Sequence, residues 1–82
     1  MPYVIPADRG PIDLFLDDIA IETPGELNYA ITKLVHTYLT SKGTSYGVLN
    51  EIVGVLECAK QEFYRRKVVP YEDVKIRENG DV

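Results

Sequence analysis

Ser41-Lys42-Gly43-Thr44-Ser45-Tyr46 decides the fold of this chain. The stretch ends one amphipathic run, Pro24 to Lys42, and opens another, Ser45 to Val69. Glycine reaches the positive-φ conformation that closes a helix, and lysine complements the negative end of its dipole. The Thr44 or Ser45 hydroxyl can then cap the first free N–H groups of the next helix. Two long helices joined by so short a break are expected to turn back on each other as an antiparallel hairpin. The expected class is mainly α, a helical hairpin with a short N-terminal helix beside it.

Working outward, Thr23-Pro24-Gly25-Glu26 has the form of a capping box with proline just inside the helix. At about 100° per residue, Leu27, Ala30, Ile31, Leu34, Val35, Tyr38 and Leu39 share one apolar face. In the second run Val48, Leu49, Ile52, Val53, Leu56, Ala59 and Phe63 form the matching face, with Tyr46 and Tyr64 at its edge. Pro70 is expected to stop or kink that helix. Upstream, Asp8-Arg9-Gly10-Pro11 reads as a turn leading into a short helix whose Ile12, Phe15, Leu16 and Ile19 face one way. Asp17 and Asp18 fall near its negative end, where fraying or a cationic neighbour is expected. Pro2 and Pro6 bracket an extended Tyr3 to Ile5, and the tail alternates over Val74 to Ile76 before Asn79-Gly80. These two segments could pair as a two-stranded ribbon joining the termini. The chain thus divides into an N-terminal segment (1–22), a hairpin (23–69) and a tail (70–82), all within one domain.

At 82 residues, 45% of them hydrophobic and 27% charged, the composition is that of a folded chain near the lower size limit for a self-sufficient core. Two helices make a thin core, so further burial is expected from the N-terminal third, from self-association or from another protein. The net charge of −4 sets the whole-molecule field against nucleic acid and anionic membranes. Cys58 is the single cysteine, which rules out an internal disulfide and points to a reducing compartment. No apolar run approaches the roughly 18 residues of a membrane span, and Met1 to Pro6 lacks the form of a signal peptide. The expected location is cytoplasmic.

Several residues depart from a plain two-helix pattern. Gly47, Gly54 and Cys58 lie on one line opposite the main apolar face, flanked by Glu51 and Glu62 on one edge and Asn50 and Gln61 on the other. Each mid-helix glycine costs about 1 kcal/mol relative to alanine. A strip without Cβ atoms lets another backbone approach, either the chain's own N-terminal segment or a partner. Tyr29 and His36, with Lys33 and Thr40 near them, stand on the polar face of the preceding helix. They form a candidate contact patch or the seat of a terminal segment. Arg65-Arg66-Lys67, with Tyr64 and Tyr71 as stacking surfaces, is the candidate phosphate or nucleic-acid contact. Against it, cations at a helix C-terminus complement the dipole and can pair with Glu62 or Asp73. Asp13 to Ile19 also has the acidic-hydrophobic form of a segment that docks into a groove, or simply packs on its own hairpin.

No metal site is expected. Glu51, Cys58, Glu62 and His36 are suitable ligand types at unsuitable spacings, and no CxxC or HExxH occurs. Cys58 sits mid-helix between carboxylates, the wrong setting for a lowered thiol pKa, so no catalytic residue is assigned and no cofactor is expected.

The string of less common residues resembles a family of small uncharacterised phage and microbial proteins, a domain of unknown function. The pieces that carry the resemblance are Asn28-Tyr29-x-Ile31, Tyr46, Asn50-Glu51-x-x-Gly54-Val55-Leu56, Glu62-Phe63-Tyr64-Arg65-Arg66, Pro70-Tyr71-Glu72-Asp73-x-Lys75 and Asn79-Gly80-Asp81-Val82. It covers roughly residues 26 to 82 and implies no activity. The leading reading is a non-enzymatic interaction or self-assembly module, a homodimer or the partner of another protein, of phage or mobile-element type. The alternatives are a nucleic-acid-binding accessory using Arg65-Arg66-Lys67 and an enzyme subunit whose site assembles across an oligomer interface.

Overall fold

The computed structural model describes residues 3–82, four-fifths of them helical and none in a strand. A 3₁₀ turn at Pro6–Asp8 leads into α1 (Gly10–Asp17). Then come α2 (Pro24–Lys42), α3 (Tyr46–Phe63), a π-helical turn (Tyr64–Val68) and α4 (Val69–Asn79). The last three run on without a break, so the second half of the chain is one long helix with a single wide turn in it. Contacts divide the chain into two units, Met1–Tyr38 and Leu39–Val82.

In the first unit the capping box forms in full. The Glu26 N–H donates to Thr23 Oγ1 at 3.1 Å, while Glu26 Oε1 accepts from the N–H groups of Thr23 (3.0 Å) and Glu22 (2.9 Å). Three backbone N–H groups around the start of α2 are thereby satisfied by the side chains of Thr23 and Glu26. Those two backbone N–H bonds, first Glu22 and then Thr23, hold the Glu26 carboxyl below its ordinary range. α1 ends at Asp17, with no basic residue in its last turn to offset the acidic pair. Upstream, Arg9 Nε donates to the Val4 carbonyl at 2.8 Å and folds the segment before α1 onto itself.

In the second unit the break falls where the sequence places it. Gly43 takes φ +86° and its N–H donates to the Leu39 carbonyl at 2.8 Å, closing α2. Ser45 is the extended N-cap of α3, its Oγ accepting from the Val48 N–H at 3.2 Å.

Two expectations fail. The tail is not extended: Tyr71 to Asn79 are helical, and Gly80, at φ +86°, terminates α4 with its N–H on the Ile76 carbonyl. Tyr3 to Ile5 are bends and coil, so among the described residues there is no ribbon. Pro2, one of the two prolines thought to bracket that strand, lies outside the described residues.

Of the two outcomes expected at Pro70, a stop does not occur. A proline ring clashes with the carbonyl four residues back and has no N–H to donate. Here the turn before it opens, and the Val69 N–H reaches back five residues to the Tyr64 carbonyl. The wide turn accommodates Pro70 near the start of α4, and the helix continues.

Among the described residues none is buried. The half-buried positions include Ala30, Val35 and Leu39 on α2, then Val48 and Ile52 on α3. All five belong to the apolar faces that the spacing assigns.

Candidate interaction surface

The apolar face of α3 is a stripe rather than a patch. Leu49, Ile52, Leu56, Ala59 and Phe63 follow one another at alternating steps of three and four, the seam of a helix that packs along its length. Val48 and Val53 flank the seam and widen the face to about 140°. Phe63 is 64% exposed at its far end.

Gly47, Gly54 and Cys58 lie within regular α-helix, so they hold the common line that their spacing requires. A Cβ built at Gly54 would meet nothing within 4 Å, and one at Gly47 would meet only Ser45 Oγ at 4.0 Å. Cys58 is an exposed thiol. In the first unit Tyr29 is 65% exposed with Lys33 Nζ 5.9 Å from its ring centre, and His36 is exposed beyond them. The Tyr29 face therefore carries a local cation–π pair.

The basic cluster is differently arranged from its sequence reading. Glu62 accepts from Arg65 Nη2 at 3.1 Å and from Arg66 Nε, so one carboxylate engages both arginines. Lys67 carries no such pair among the described residues. Tyr64 and Tyr71 would share a side of an unbroken helix, being two turns apart. The π turn inserts one residue between them and leaves them about 120° apart, so they do not form one stacking platform. Tyr71 instead lies under Lys75, whose Nζ is 5.5 Å from the ring centre and also bonds Glu78 Oε2 at 3.1 Å. Sequence reasoning missed the π turn, and the signal available for it was Pro70 following an uninterrupted helical pattern.

Among the described residues no three His, Cys, Asp or Glu side chains stand together as a metal site. Among the described residues no helix is long and apolar enough to cross a membrane.

What these features define is a small helical protein with long apolar stripes on its surface. The chain belongs to the family described as a domain of unknown function (DUF6899), whose model matches residues 1–82. The match takes in the N-terminal segment that the resemblance left out, and it carries no indication of a phage source. No curated protein and no solved structure matches the chain.

Proposed function

We propose that the protein is a non-enzymatic self-assembly module. α2 and α3 fold back about Gly43 as a hairpin, and hairpins from two copies bury their apolar faces in a shared core. The observation that carries this reading is the absence of any buried residue among the described ones, although α2 and α3 each present a full apolar face. Ordering a residue costs about 1–2 kcal/mol of backbone entropy, and helices in isolation are marginal in water. Burial must offset that cost, and a face about 140° wide on α3 can serve two neighbours, its own α2 and a second copy.

Sedimentation equilibrium of the full chain from micromolar to millimolar concentration tests the reading. A concentration-dependent dimer or tetramer that loses helicity on dilution is expected. A helical monomer throughout would refute it.

The nucleic-acid reading is the weaker one, because Glu62 already engages Arg65 and Arg66. Glu62→Gln should raise affinity for a mixed-sequence RNA in low salt if those arginines are otherwise fit for phosphate. No change would remove the cluster as a candidate.

A further inference from the structure

We infer that the long second helix pairs antiparallel with the same helix of a second copy, along a stripe that the π turn keeps continuous from Leu49 to Tyr71. The inference rests on the self-assembly reading and names its contact surface and orientation.

The first argument is phase. In an uninterrupted helix the seam Leu49, Ile52, Leu56, Phe63 would pass next through Lys67, Pro70 and Val74. The wide turn adds one residue, so positions beyond it rotate by about 100°. Val68 and Tyr71 now follow Phe63, while Lys67 and Val74 move to the side. A lysine on the seam is replaced by a valine, and Val68 is half-buried. Beyond Tyr71 the stripe ends under the Lys75–Glu78 ion pair.

The second argument is length. α2 has 19 residues, whereas α3, the π turn and α4 have 18, 5 and 11. Folded back, α2 would cover α3 as far as the π turn and leave Val68 and Tyr71 beyond its reach. Phe63 and Tyr71, 64% and 65% exposed, together offer on the order of 200–300 Å². That is about a third of the roughly 800 Å² that each side of a stable interface requires, and the rest of the stripe lies between and before them.

The third argument is charge. Glu51, Glu57 and Glu62 against Lys60 leave residues 46–63 at −2. Arg65, Arg66, Lys67, Lys75 and Arg77 against Glu72, Asp73 and Glu78 leave residues 64–79 at +2. Antiparallel pairing sets the acidic half of each copy against the basic half of the other; parallel pairing sets like against like. The complement of this helix is therefore itself, reversed.

The test uses the full chain. Val68→Ala and Tyr71→Ala should each weaken dimerisation at least tenfold by sedimentation, while Val74→Ala changes it less than threefold and circular dichroism shows all three helical. Damage from Val74→Ala alone would overturn the stripe and leave self-assembly standing. Orientation is read separately by spin labels on Tyr46→Cys in a Cys58→Ser background. Antiparallel pairing centred on the stripe puts the two labelled backbones about 40 Å apart. In-register parallel pairing puts them about 10 Å apart and would overturn the inference. A wild-type chain that stays monomeric at millimolar concentration refutes both this pairing and the self-assembly reading beneath it.

Discussion

Phe63→Ala should break the assembly without breaking the helix. Complete burial of a phenylalanine contributes about 1.5–3 kcal/mol. Phe63 is 64% exposed in the single chain, so roughly two-thirds of that, about 1–2 kcal/mol, remains to be gained when a partner covers it. A twofold dimer loses the term twice. The expected weakening is about 2–4 kcal/mol, or roughly 30- to 700-fold in the dimer dissociation constant. Alanine is the better helix former, so the isolated helix should not suffer. Val55→Ala is the matched comparison: Val55 is 63% exposed but lies at the edge of the face, beside the line of Val48 and about 80° round the helix from Phe63, so it should cost less. Sedimentation equilibrium gives both constants and circular dichroism reports the helix. If Phe63→Ala leaves the constant within threefold of wild type, or if Val55→Ala costs as much, the stripe has no special part in assembly and the reasoning fails.

Four further outcomes are expected. Pro70→Ala restores an N–H and removes the ring that opens the turn, so helicity should rise while the dimer weakens, because Lys67 then takes the seam position of Val68; a tighter dimer would contradict the phase argument. Thr23→Ala removes the N-cap of α2 and should cost about 1 kcal/mol in chemical denaturation, with no change in the spectrum of α3. Gly54→Ala should raise stability by about 1 kcal/mol, since a Cβ there meets nothing within 4 Å, and should leave the dimer constant unchanged; weaker association would place the partner on the glycine line instead. Glu26 is held below its ordinary carboxylate range by its bonds to the Glu22 and Thr23 N–H groups. Its folded pKa is depressed, so its stabilisation of α2 is fully present above that range and is lost as pH falls through the lowered value. Acid titration followed by circular dichroism should show this loss in wild type and not in Glu26→Gln.

The parts of the fold legible in the sequence are those fixed by local chemistry. Thr23, Glu26, Gly43 and Ser45 announce helix ends through bonds that span four residues or fewer, and each end lies where those residues put it. Pro70 leaves its outcome open because its local effect, a blocked hydrogen bond, can stop a helix, kink it or open one turn of it, and the residues beside it do not choose among these. The tail misleads for another reason. Val74 and Ile76 alternate over too few residues to distinguish a strand from a helix edge, and the turn-like Asn79-Gly80 proves to be a helix terminator. On the candidate surface, regular helix keeps Gly47, Gly54 and Cys58 on one line, whereas the π turn between Tyr64 and Tyr71 rotates the two rings apart.

The charge of the whole chain conceals a division that bears on assembly. Asp8, Asp13, Asp17, Asp18, Glu22 and Glu26 against Arg9 and Lys33 place the entire net −4 in residues 1–38. Residues 39–82 hold seven acidic and seven basic side chains and are neutral. A net charge of one sign keeps copies apart and soluble, whereas a neutral surface with its charges segregated along one axis favours a reversed copy of itself. The unit with the long stripe is the neutral one. Raising ionic strength should therefore act in two opposed ways: screening the acidic first unit favours association, and screening the paired halves of the second opposes it. Neutralising the first unit by Asp13→Asn, Asp17→Asn, Asp18→Asn and Glu22→Gln together isolates the second effect, and dimerisation of that variant should weaken steadily with salt. Dimerisation that strengthens with salt in the same variant would mean that the long helices do not meet with opposite charges aligned.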